Sequence, residues 1–247
     1  MFKNTFKNLR FWLPILGISI SLALATPIMA ADLSPKDAQR LLNDTKMLFS
    51  YLGLKGESDY AAKPENIIKA ALFGCFDAKM SFNFEQEERK EAGKAALPKT
   101  TPLFKVNGKA VTANQVLMRD DAPNLFKNVP ESFTCFIVKD AIALGALYFT
   151  GHSIKKHTAP KGNELLGDTL LNDKGYYVSI EGLGDAATES ELKKIKPQGE
   201  GFVLTGKVVE VMDGGEEQNK AKIFRLELKP GEAPGTWKRQ YIEKPIK

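Results

Sequence analysis

The chain has 247 residues, 43% of them hydrophobic and 26% charged, with 20 Gly and 13 Pro. That balance excludes disorder, collagen and a simple coiled coil, and the length can bury a real core in one large domain or two small ones. Three of the 35 Lys and Arg lie in residues 1–31, which hold no acid, so the chain from Asp32 carries 32 bases against 30 acids. A surface so near balance argues against a general nucleic-acid binder, which needs a concentrated basic face.

Lys3, Lys7 and Arg10 form a basic start, followed by an uncharged apolar run from Phe11 to Ala25 and small residues at Ala30 and Ala31. This order predicts a secretory signal peptide over residues 1–31, cut after Ala30 or Ala31. An uncleaved anchor helix is the alternative, since Phe11 to Ala31 is long enough to span a bilayer. Pro14, Pro27 and two serines interrupt that run. No later stretch approaches about 18 apolar residues, so no membrane span is expected after cleavage. The protein is therefore expected in the periplasm or outside the cell.

Ser34, Pro35 and Asp37 predict a helix start: Ser34 caps, Pro35 suits the first helical position, and Asp37 favours the dipole. Leu41, Leu42, Met47, Leu48 and Tyr51 form its apolar stripe, and Gly53 and Gly56 end it. Pro64 opens a second helix carrying Ile67, Ile68, Ala71, Leu72 and Cys75. The run Glu85–Glu91 reads as a solvated helix or a linker, closed by Gly93 and Pro98. Asn107-Gly108 between Leu103–Val106 and Lys109–Thr112 predicts a β-hairpin. Residues 132–149 are apolar and fit either a strand around Phe133–Val138 or a buried helix around Ala141–Ala146.

Four strands are expected in the last third, at Tyr176–Ile180, Phe202–Val211, Ile223–Lys229 and Trp237–Ile242. Phe224, Leu226 and Leu228 alternate with Arg225, Glu227 and Lys229, the pattern of a sheet with one buried and one wet face. Thr188, Glu191 and Pro197 suggest a short helix between the first two strands. Helices first and strands last give an α+β class: N-terminal helices, then a mostly antiparallel curved sheet. That outline resembles the NTF2-like and cystatin-like folds in topology, with no residue motif to carry it. The expected division is a signal peptide (1–31), a helical part (32–100) and a mixed region (101–247) that forms one globular unit with the helices.

Cys75 and Cys135 are the only cysteines, and in an exported chain an even count favours a disulfide. Their contexts match locally (Phe-Gly-Cys-Phe and Phe-Thr-Cys-Phe, each with a Lys four residues beyond the Cys), but the flanks do not, which argues against a repeat. Two separate core thiols are the other reading.

Candidate chemistry is sparse. Gly182, Gly184 and Ala187 fit a dinucleotide fingerprint, but an expected short helix, antiparallel neighbours and Asp185 all argue for a plain turn. His152 and His157, five apart beside Lys155 and Lys156, are poorly spaced for a metal, so no cofactor or metal is expected. Asp120-Asp121 reads as a solvated turn before Pro123 rather than an acid–base pair, and Asp213–Glu217 as a hairpin tip. Trp237, Arg239 and Tyr241 share one strand face and form a candidate binding surface if exposed. Alternation alone instead favours Trp237 and Tyr241 in the core.

Two functions remain. One is a non-enzymatic exported protein that binds a partner protein or a small apolar ligand in the cell envelope. The other is an exported hydrolase whose site is scattered in sequence.

Overall fold

The computed structural model describes residues 33–181, 187–211 and 221–246. They fall within one compact unit, Asp32–Lys247. Its helices are α1 (Pro35–Leu52), α2 (Glu57–Ala62), α3 (Glu65–Glu91) and α4 (Lys139–Thr150). Its strands are β1 (Pro102–Val106), β2 (Lys109–Thr112), β3 (Val116–Met118), β4 (Cys135–Val138), β5 (Thr169–Leu171), β6 (Gly175–Val178), β7 (Ala187–Gln198), β8 (Gly201–Val211), β9 (Lys222–Pro230) and β10 (Trp237–Pro245). The class is α+β, and every strand pair among the described residues is antiparallel.

Local signals account for the first elements. Ser34 Oγ accepts from the Asp37 amide at 3.1 Å, and Gly53 closes α1 at φ 65°. Asp59 ties down the start of α2 by accepting from the amides of Lys55 and Gly56. The polar run Glu85–Glu91 is helical and completes α3. There Gln86 holds the returning chain through both the amide and the carbonyl of Leu97. Asn107 and Gly108 have φ of 47° and 75°, as a two-residue hairpin turn requires, and join β1 to β2.

The strands divide into three sheets rather than one curved sheet. β1 and β2 pair alone, a second sheet runs β3-β4-β6-β5, and a meander runs β10-β9-β8-β7. Tyr176 and Tyr177 therefore pair with Ile137 and Phe136 of β4, and β6 does not join the meander. Residues 132–149 resolve into both candidates, strand β4 followed at once by α4. The helix expected at Thr188–Ile195 is instead strand β7, paired with β8 along its length. A capping pattern is worth about 1 kcal/mol, and a full ladder of cross-strand bonds overrides it. β7 is an edge strand, which explains how Pro197 is accommodated. Lys193, Lys194 and Lys196, with an irregularity between Leu192 and Lys194, blunt that edge. The opposite edge is covered: the Tyr241 amide donates to the Lys55 carbonyl at 2.8 Å.

The core lies between α3, α4 and the second sheet and includes Leu72, Phe73, Ile137, Ile142, Phe149 and Tyr176. α3 and α4 approach closely because Gly74 and Gly145 lack side chains. A Cβ on Gly74 would lie 2.4 Å from the Phe149 ring, and one on Gly145 would lie 2.9 Å from Cys75 Sγ. The inner face of the meander buries Phe202, Leu204, Phe224, Leu226, Leu228 and Tyr241. Phe49 of α1 packs on Tyr241 with centroids 5.2 Å apart. No described helix is long and apolar enough to cross a membrane.

Candidate ligand cavity around His152

The strand face proposed as a binding surface turns inward. Tyr241 is 0% and Arg239 2% exposed, and Trp237 is half-buried with its ring edge-on to Phe202. The reason is register: Tyr241 lies opposite Leu226 and Arg239 opposite Leu228, so they share the core face. Arg239 donates to Thr45 Oγ1 at 3.2 Å and to the Tyr148 carbonyl at 2.6 Å, joining β10, α1 and α4. Its positive charge also bears on Asp44. Burial raises the Asp44 carboxyl above its ordinary range, although Arg239, Arg40 and a hydrogen bond from Tyr148 oppose the rise. Burial, and then the charge of Asp44, push Asp77 of α3 up to about 6. This is a buried charge network that ties elements together, not an exposed anchor.

Cys75 and Cys135 are fully buried in the same core and carry free thiols here, so the expected bridge is not formed in this structure. One sits in a helix and the other opens a strand, so their matching contexts are not a structural repeat. Burial pushes both thiols up, and for Cys75 the neighbouring Cys135 adds to the rise. Asp121 pairs with the buried Lys79 at 2.9 Å and with Lys99 at 3.3 Å. Desolvation works against the Asp121 charge, but hydrogen bonds from Lys79 and the Met118 amide hold its carboxyl below its usual range. Asp121 is thus a structural anion and not half of an acid–base pair. His157 Nδ1 lies 3.0 Å from the Tyr176 hydroxyl. Residues 182–186 of the glycine motif, all but its closing Ala187, and the hairpin tip at 213–217 lie outside the described residues.

His152 has richer surroundings. α4 ends at Gly151, whose φ of 74° turns the chain, and a Cβ there would lie 2.5 Å from the Lys238 amide. The Gly151 carbonyl accepts from the Glu232 amide at 2.8 Å, which draws the β9–β10 turn alongside. The imidazole then lies between two carboxylates: Nδ1 is 3.1 Å from Glu232 and Nε2 is 2.9 Å from Glu57, the first residue of α2. The Ser153 hydroxyl and amide both donate to Glu232, at 2.5 and 3.1 Å. These bonds, the Ser153 hydroxyl first, bring the Glu232 carboxyl down to about 2. Lys238 reaches Glu57 at 3.6 Å, and the Tyr60 ring stands edge-on to the imidazole.

This cluster borders a cavity of about 480 Å³. Tyr60, Ala61, Pro64, Ile67, Ile68 and Ile154 give it apolar walls, and Lys155, Lys156 and Glu65 stand among its polar lining. The volume suits a small molecule. The chemistry is not that of a nucleophile and base. Both imidazole nitrogens are engaged by carboxylates, and the Ser153 hydroxyl is directed to Glu232 rather than to His152. Because the imidazole separates Glu57 from Glu232, the three do not converge on a point, and no group of metal-ligating side chains is found among the described residues.

Sequence reasoning missed Glu57 and Glu232. They lie 95 and 80 positions from His152, and nothing local marks either. No protein-family model, curated protein or solved structure matches this chain.

Proposed function

We propose that this is an exported, non-enzymatic protein that takes a small, largely apolar ligand into the cavity beside His152. The observation that carries the reading is the division of labour in that cavity. Its walls are apolar, while His152, Ser153, Glu57 and Glu232 at its edge are committed to one another. Such a site can bind and orient, and its imidazole, held on both nitrogens by carboxylates, is not free to activate a nucleophile. The ligand's apolar body would rest on Tyr60, Ile67, Ile68 and Ile154, and Lys155 and Lys156 offer donors to a polar end.

The proposal is tested by extracting the purified protein with organic solvent, identifying what is released by mass spectrometry, and titrating it back. Ala61 is exposed and lines the cavity, so Ala61→Trp should fill it with little effect on the core. We expect that variant to lose binding while remaining folded. Unchanged binding by Ala61→Trp would refute the assignment. The hydrolase alternative predicts ester hydrolysis that disappears in Ser153→Ala.

Export rests on the basic start, the apolar run and Ala30-Ala31. N-terminal sequencing of protein from the envelope fraction should begin near Asp32, and intact Met1 would refute it. In an oxidising compartment we further propose that Cys75 and Cys135 join, two protons and two electrons passing to the thiol oxidants there. Their shared core position, close enough for Cys135 to add to the rise of the Cys75 thiol, supports the pairing.

A further inference from the structure

The outer face of the meander carries a feature independent of the cavity. Its four strands hold ten Lys and Arg, of which Arg239 is buried on the inner face, against five Asp and Glu, while the rest of the chain beyond residue 31 holds 22 against 25. Positive charge is therefore gathered on one sheet of a nearly neutral molecule. Register interleaves it with exposed aliphatic groups. Lys207 of β8 and Lys244 of β10 both lie opposite Ile223 of β9, and Arg225 of β9 lies opposite Ile242 of β10. Directly opposed residues share a face, so these five form one outward patch. Ile223 and Ile242 are 47% and 41% exposed, although the neighbouring Phe224 and Leu226 are buried on the inner face. The patch borders a shallow depression of about 460 Å³ that, among the described residues, no carboxylate lines. Arg225 has a local partner in Glu227 at 2.8 Å, on the same strand.

We infer that this face docks the protein on an anionic bilayer surface. Ile223 and Ile242 enter the headgroup zone, and Lys207, Arg225 and Lys244 lie against lipid phosphates. Charge complementarity calls for an anionic partner. Exposed isoleucines ringed by cations match a surface whose outer layer is anionic and whose next layer is hydrocarbon. A single-stranded nucleic acid would want aromatic stacking platforms. Among the described residues, the one aromatic that lines the depression is Phe224, which is 2% exposed.

The protein is purified as cells process it, and its N-terminus is read by sequencing. It is then sedimented with vesicles of phosphatidylcholine alone or mixed with phosphatidylglycerol, at low and at high salt. We expect stronger partition onto the anionic vesicles, weakened by salt. At about 1 kcal/mol per cation, Lys207→Ala with Lys244→Ala should lower the partition coefficient roughly thirtyfold. Both lysines are exposed, so circular dichroism of this double variant should match wild type. Ile223→Ser with Ile242→Ser should also weaken binding at constant charge. Ala61→Trp should bind vesicles like wild type, so failure here and failure of the cavity reading are separable. Vesicle binding unchanged by the double lysine variant, or no preference for anionic lipid, would overturn the inference. Soluble polyglutamate competing as well as the vesicles would overturn it in favour of an acidic polypeptide.

Discussion

Replacing Asp77 by Asn probes the charge network beneath α1. Burial, helped by the charge of Asp44, raises the Asp77 carboxyl from an ordinary 3.8 to about 6. Between those values the folded protein keeps a proton that the unfolded chain has released. Stability contributed by this group is therefore fully present below about pH 4 and is lost as the pH rises through about 6. About two units at 1.36 kcal/mol each make the loss about 3 kcal/mol. Asn keeps the shape without the charge. The variant should thus match wild type near pH 4 and exceed it by about 3 kcal/mol at pH 8. The assay is urea unfolding followed by circular dichroism at unit steps from pH 4 to 8, with the m-value checked for constancy. Asp44 is raised as well and adds a slope of the same sign, whereas Asp121 and Glu232 are lowered and slope the other way. The difference between the two proteins cancels the groups that Asp77 does not touch. Parallel pH profiles, or a variant less stable than wild type at pH 8, would refute the reasoning.

Asp121→Ala strands the ammonium of Lys79, 1% exposed, and should cost about 3–5 kcal/mol by denaturant unfolding, more than Lys79→Met. Gly74→Ala drives a methyl into the Phe149 ring and should cost about 1–3 kcal/mol, seen as a lower thermal midpoint. Arg239→Met should destabilise through the lost Thr45 and Tyr148 bonds, while leaving vesicle binding per folded molecule unchanged. Protein isolated from the envelope and denatured without reductant should show no free thiol, and two labelled thiols would refute the Cys75–Cys135 pairing. Where the pairing holds, Cys75→Ala should lose about 4 kcal/mol relative to the oxidised form, as expected for a loop of about 60 residues.

Elements whose causes are local were legible in the chain. Ser34, Pro35 and Gly53 bound α1 because capping and left-handed closure involve residues within one turn. Asn107-Gly108 specified its hairpin because a two-residue turn needs positive φ at both positions. The alternation in Phe224–Lys229 marked one buried and one wet face of β9, and the alternation in Trp237–Ile242 already favoured Tyr241 in the core. Pairing partners and spatial neighbours were not legible. Nothing local tells Tyr176 to join Cys135–Val138 rather than the meander, because strand partners are set by which faces must be covered across the whole fold. The capping pattern at Thr188–Glu191 misled for the same reason, since a weak local preference yielded to a long ladder with β8. The environment of His152 is the extreme case. Glu57 starts a helix near one end of the chain and Glu232 sits in a turn near the other, and only the docking of α2 and the β9–β10 turn on the end of α4 brings them to one imidazole. The sequence by itself determined the α+β class, the hairpin and the inward faces, because those depend on periodicity and turns. Only the tertiary structure decided the sheet partners, the buried Arg239 network and the cavity, because each is made by side chains that the chain brings together over long separations.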